Sequence, residues 1–212
     1  MTGSTMPTPE TRAAFARDGA VVLRGLFAGH VEALRDGVAR NMAEPGPHAA
    51  ENTRAGDAGR FFDDYVNWQR IPAFEAVARD PDISGAAAAL MASETVQLFH
   101  DHVLVKEPGT TRPTPWHQDA PYYLASGRQT VSFWVPLDPV REATLRLVAG
   151  SHLWDKPVLP TRWLSDDAFF AGDYRAVPDP DAEGMEVLEW TMEPGDAVAF
   201  SFDTLHGARG NT

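Results

Sequence analysis

Five short runs of strand-like residues, bounded by turn residues and with no helix of matching length between them, constrain the second half of this chain. They cover 95–106, 130–137, 145–148, 186–192 and 197–202, and their apolar and β-branched residues recur at a period near two. Glu107-Pro108-Gly109 and Glu193-Pro194-Gly195-Asp196 suit the reversal of antiparallel strands. A doubly wound parallel sheet needs crossover helices that are missing here, so the pattern predicts a mainly β chain, a sandwich or jelly roll with flanking helices.

Those helices are expected in residues 1–94. Thr8-Pro9-Glu10 resembles a helix cap ahead of Phe15, a strand is expected over 20–23 and a second helix over 28–42. Glu44-Pro45-Gly46-Pro47 opens what reads as a mobile loop over 44–60. Two short helices should follow, the Ala-rich 72–91 being punctuated by Asp80-Pro81. The 212 residues suit one domain: a mostly helical flank (1–94) and a β core (95–212). The stretch 150–185, rich in Pro and Asp, carries Trp154, Trp163, Phe169, Phe170 and Tyr174. It is expected to be a partly helical insertion covering an opening.

Charge and cysteine content narrow the function classes. With a net charge of −12 there is no basic stripe for phosphates, which sets aside nucleic acid and anionic membranes. No signal-peptide pattern and no run of about 18 apolar residues occurs, so a soluble, cytoplasmic protein is expected. Without Cys, a metal would have to be held by His, Asp or Glu.

Of the seven His, His117 attracts attention because Asp119 lies two residues on. Chance alone would produce about 0.6 His-x-Asp pairs in a chain of this composition. His30-Val31-Glu32 is a built-in control: on a helix i and i+2 do not face each other, and that pair reads as surface decoration. On a strand they project to one side, and Pro113 and Pro115 discourage helix around His117. A third ligand must come from another strand, and His206, just after the run 197–202, is the best placed. His100 and His102 share a strand face and are candidates for lining the same cavity, while His48 belongs to the loop and His152 to a turn.

The ordered set Lys106-Glu107-Pro108-Gly109, Pro113-Thr114-Pro115-Trp116-His117-Gln118-Asp119, Gly150-Ser151-His152 and His206-Gly207-Ala208-Arg209-Gly210-Asn211 resembles the phytanoyl-CoA dioxygenase family from about residue 12 onward. The resemblance implies a double-stranded β-helix (a cupin-like jelly roll) and an Fe(II)- and 2-oxoglutarate-dependent oxygenase that uses O2. It implies His117, Asp119 and His206 as iron ligands, Trp134 as a co-substrate contact, and Ser132 and His102 as weaker ones. An Asp at position 119, where related halogenases carry a small residue, implies hydroxylation. Phe61, Phe62, Tyr65, Trp68, Tyr122 and Tyr123 are candidates for the substrate side, with polar contacts from Gln118 and Arg146. The expected partner is a small organic molecule, and the expected assembly a monomer or homodimer.

Two departures from the family pattern stand out. Glu142-Ala143-Thr144 lacks a Gly and Ala149 replaces a Pro. The family's Arg for the distal carboxylate of 2-oxoglutarate, roughly nine to eleven residues past the second His, is not reached, and Arg209 lies too close to substitute. The chain therefore reads either as a truncated piece, which its ending in mid-motif favours and whose last strand would follow Thr212, or as a form that has lost the anchor. A metal hydrolase or isomerase using the same three ligands, and a non-catalytic binding module, are the alternatives.

Overall fold

The computed structural model describes residues 6–124, 126–162 and 167–212. Helix α1 (Pro9–Asp18) starts where Thr8 Oγ1 accepts the Thr11 N–H at 3.2 Å, with Pro9 in the first turn, where its missing N–H costs nothing. Gly19 ends it at φ 77°, a conformation that favours glycine, and strand β1 (Ala20–Leu23) follows. After one 3-10 turn comes α2 (Val31–Ala43), and later α3 (Pro72–Ala78) and α4 (Pro81–Met91), separated as Asp80-Pro81 predicts. Asp80 caps α4 through the N–H groups of Asp82 and Ile83 and takes His30 Nε2 at 2.8 Å. His30 is thus not surface decoration: it ties the start of α2 to α4, while Glu32 pairs with Arg35.

The β core consists of two facing sheets. One runs β1–β9 (Ala197–Phe200)–β6 (Ser132–Trp134), and the other β5 (Thr114–His117)–β10 (His206–Ala208)–β7 (Leu145–Val148)–β8 (Val187–Glu189). Registers Ala20↔Phe200, Ser132↔Phe200 and Trp134↔Val198 set the alternation. One face of the first sheet, with Ala20, Val198 and Phe200, packs on Leu145, Leu147 and Met192. Its other face, with Val21, Leu23 and Ala199, packs on Phe15, Phe27, Ile83 and Leu90. This is a double-stranded β-helix with helices on its outer side.

A third sheet, β2 (Ala50–Glu51)–β3 (Phe61–Tyr65)–β4 (His102–Lys106), was only half foreseeable. The mobile loop expected over 44–60 contains β2, and β3 escapes a pattern reading because Asp63-Asp64 interrupts its apolar run. Asp64 is wholly buried yet satisfied, accepting from Asn41 Nδ2 and the Gly46 N–H at 2.7 Å each. Burial pushes its carboxyl up, but these bonds prevail and hold it below the usual range. Of the expected strand 95–106 only 102–106 pairs, and 95–101 forms no ladder. The insertion is less helical than expected: its described part holds a 3-10 turn (Ser151–Leu153) and the bridges Val158↔Arg175 and Thr161↔Ala168. Trp163 lies outside the described residues. No described helix is long and apolar enough to cross a membrane.

Candidate metal centre

β5 and β10 are antiparallel neighbours with His117 directly opposite His206. Asp119 arrives differently from the strand argument. β5 ends at His117, and Asp119 has helical backbone angles (φ −74°, ψ −42°) at the start of the short helix α5 (Ala120–Tyr123). The N–H groups of Asp119 and Ala120 both donate to the Phe202 carbonyl, at 2.9 and 3.0 Å. This turn, not the period of a strand, brings the carboxylate beside the two rings.

Asp119 Oδ1 lies 3.6 Å from His117 Nε2 and 3.8 Å from His206 Nε2. Candidate ligand atoms of the three side chains fall within 4.8 Å of one another, the only such group among the described residues. Each imidazole is aimed from behind. His117 Nδ1 bonds the Pro115 carbonyl at 2.8 Å and His206 Nδ1 the Thr204 carbonyl at 2.9 Å. A carbonyl can only accept, so Nδ1 carries the proton and the Nε2 lone pair is presented to the centre. Burial lowers the pKa of both rings to about 4, with His206 adding to the effect on His117, so both are in the neutral, ligating form at pH 7. Burial also raises the pKa of Asp119, against the pull of His117.

The turn before His206 is pinned by buried groups that do not touch the centre. Ser151 Oγ donates to the Val148 carbonyl at 2.7 Å and accepts the Leu205 N–H at 2.8 Å. The Gly19 carbonyl accepts from the Ser201 N–H and the Thr204 hydroxyl. Ser151 belongs to the Gly150-Ser151-His152 motif, whose role could not be assigned from sequence.

The three residues open into a cavity of about 1880 Å³ whose walls include Ser132, Trp134, His102, His100 and Tyr122. His102 stacks on Tyr65 with centroids 3.9 Å apart, and its Nε2 lies 3.5 Å from Asp63 Oδ2. The Tyr122 hydroxyl donates to the Thr161 carbonyl at 2.7 Å, which ties α5 to the insertion. Lys106, which sequence reasoning passed over as a chemical group, also faces this space. Its Nζ donates to Thr114 Oγ1 at 2.7 Å and sits 4.8 Å from the Phe61 ring centroid. No described carboxylate pairs with it, and burial lowers its pKa to about 8. The available signal was spacing: His102, Leu104 and Lys106 alternate along β4 onto one face.

Three expected substrate contacts are corrected. Gln118 is buried with both ends used, Nε2 on the Asp203 carbonyl and Oε1 accepting the Val158 N–H at 2.7 Å, because the residue after His117 points to the opposite side. Phe62 packs with Ile71, Phe74 and Val103 in the helix-facing core, since the cavity side of β3 carries Asp63 and Tyr65. Arg146 alternates away from Leu145 and Leu147, pairs with Asp181 and Glu189, and covers the Trp116 ring. Arg209 is held by Glu189 outside the cavity.

Fold and site define a class: a jelly roll presenting two imidazoles and one carboxylate on one side of a metal position, open on the other. The chain belongs to the phytanoyl-CoA dioxygenase family, whose pattern its residues 15–212 match. It is therefore an iron- and 2-oxoglutarate-dependent oxygenase, with O2 as the second co-substrate. Among solved structures it is similar to SnoK, a non-heme alpha-ketoglutarate-dependent carbocyclase from nogalamycin biosynthesis (TM-score 0.76, 23% identity, covering 99% of this chain and 81% of that one). It also resembles EctD from S. alaskensis with 2-oxoglutarate and 5-hydroxyectoine (0.73, 21%, 100% and 73%). A third is the epimerase SnoN in complex with Fe3+, alpha-ketoglutarate and nogalamycin RO (0.72, 24%, 95% and 76%). At these identities the likeness speaks for the fold. No curated protein sequence matches the chain.

Proposed function

We propose that this chain hydroxylates an aliphatic carbon of a small organic substrate, with His117, Asp119 and His206 as the ligands of Fe(II). The reaction converts R–H, 2-oxoglutarate and O2 into R–OH, succinate and CO2. The observation that carries the reading is the pair of Nδ1–carbonyl bonds, which leaves two neutral Nε2 lone pairs and one carboxylate converging in a buried pocket. Such a donor set suits Fe(II) and leaves positions for a bidentate 2-oxo acid and O2, whose reaction there supplies the oxidising power.

The protein's own part is orientation and exclusion of water. Trp134 and Ser132 form one wall beside Phe200, and His102 stands on another. Lys106 is the cation we assign to the distal carboxylate of 2-oxoglutarate. A buried ammonium held at lowered pKa gains most from an incoming anion, although it offers a point charge rather than the fork of an Arg. Tyr122 and Phe169, whose centroids are 5.8 Å apart, place the substrate beside His117 and under the insertion.

Anaerobic titration of the chain with Fe(II) and then 2-oxoglutarate, followed by visible absorption of the chelate, tests this. The band should appear and weaken in Asp119→Ala, and with O2 the wild type should release succinate. An intact, iron-loaded protein that consumes no 2-oxoglutarate even without substrate would overturn the proposal.

A further inference from the structure

Two groups of aromatic rings lead away from the metal centre, and they start on neighbouring residues of α5. Tyr122 meets the His117 ring edge-on, with centroids 5.9 Å apart, and leads to Phe169 at 5.8 Å. Tyr123, whose hydroxyl donates to the Asp119 carboxylate, leads to His100 at 4.9 Å, Phe99 at 5.1 Å and Phe202 at 5.3 Å. Among the described residues no ring pair joins the two groups, and both line the cavity that holds the three ligands. A slot between two aromatic walls therefore opens beside the centre. Phe99 and Phe169 stand 55% and 44% exposed in these walls. Each is nevertheless backed by other groups: Phe99 packs on Phe202 as well as Tyr123, while Phe169 meets Phe170 edge-on and carries the Arg162 guanidinium 5.2 Å from its centroid. A ring held in place yet left in water beside a site is surface that a ligand covers with little reordering.

The polar groups around the slot are largely spent on the protein itself. The Tyr122 hydroxyl donates to the Thr161 carbonyl at 2.7 Å, the Tyr123 hydroxyl serves Asp119, and the two Asp101 oxygens accept the N–H groups of Asn67 and Trp68 at 3.0 and 2.9 Å. A polyol needs free donors and acceptors for its hydroxyls, and a straight acyl chain has no face to set against a ring. A flat ring has one, and aromatic pairs in offset or edge-on contact gain beyond the area they bury. We propose that the substrate is a flat-ring compound, an aromatic or fused-ring system that carries the reacting aliphatic carbon. Its ring lies between the Phe99–Tyr123 wall and the Tyr122–Phe169 wall, and its saturated carbon faces the centre formed by His117, Asp119 and His206. The imidazole of His100, within the first wall, suits one polar substituent of the ring. This assignment rests on the oxygenase reading above and names the class of molecule on which it acts.

The test needs no metal, so its outcome is separate from that of the proposed reaction. Dissociation constants of four probes are measured on the metal-free chain by protein NMR: 2-naphthol, its saturated counterpart decahydro-2-naphthol, 1-decanol and methyl glucoside. 2-Naphthol should bind about tenfold more tightly than the other three. Phe99→Leu and Phe169→Leu, which keep apolar bulk and remove the ring, should each weaken 2-naphthol about threefold or more and leave decahydro-2-naphthol unchanged. Leu153→Ala, at an exposed apolar residue outside the cavity, should change neither. Equal or tighter binding of 1-decanol or methyl glucoside would overturn the proposal. So would 2-naphthol binding that both Leu variants leave intact, because the probe would then sit elsewhere. Ring-selective binding in a chain that consumes no 2-oxoglutarate once iron is supplied would support the slot and count against the reaction.

Discussion

At the scale of single residues, the site depends on atoms that never touch the centre. Ser151 Oγ is the only partner identified for the buried Leu205 N–H, one residue before His206. Ser151→Ala should cost about 1–3 kcal/mol in denaturant melts, because a buried donor is left unmade, and should weaken metal binding in the folded fraction. Lys106 carries a pH dependence. Its pKa is about 8 in the folded chain against 10.5 for the free side chain, so between those values the unfolded state binds more protons and stability rises with pH. The burial penalty is fully present below pH 8. Lys106→Met should therefore stabilise the metal-free protein at pH 7 by about 1–3 kcal/mol and flatten its profile toward pH 10.5, measured by urea melts. The same variant should raise the KM for 2-oxoglutarate while leaving Fe(II) affinity nearly unchanged.

At the scale of elements, the β5–α5 turn and the insertion are joined by Gln118 and Tyr122. Gln118 bridges the Asp203 carbonyl and the Val158 N–H, so it clamps three segments from a position adjacent to His117. Gln118→Leu should lose about 1–3 kcal/mol in a chemical melt, with Fe(II) still binding to the folded protein. A direct substrate contact would instead show as a changed KM at unaltered stability. The residue was visible in the sequence as a polar neighbour of His117, but its partners lie 40 and 85 residues away, and no local pattern reports such distances. β3 shows the same limit. Its two Asp disguise a strand, and only Asn41 and Gly46 from elsewhere make a buried Asp64 tolerable.

At the scale of the whole molecule, the centre joins β5, β10 and α5 around buried groups, so metal binding and folding are linked. Fe(II) at about 100 times its dissociation constant should add about 2.7 kcal/mol, which for a domain of this size is roughly 5–10 °C in Tm. Anaerobic thermal melts should show this rise in the wild type and none in Asp119→Ala. A rise that persists in the variant would mean that the metal binds elsewhere.

The chain's own order of residues determined the class of fold, because period-two runs without crossover helices admit few alternatives, and it singled out the three candidate metal ligands, because short motifs in fixed order carry them. β1, β7 and the helix starts at Thr8 and Asp80 were legible for the same reason: each follows from neighbours within a few positions. What only the tertiary structure decided is direction. Gln118, Phe62 and Arg146 have the right chemistry for a site and face away from it, while Lys106 faces into it. Asp119 reaches the two imidazoles through a turn held by the Phe202 carbonyl. Which face of a strand is inward depends on which distant segments cover it, and that is settled by packing across the whole chain rather than by any local spacing.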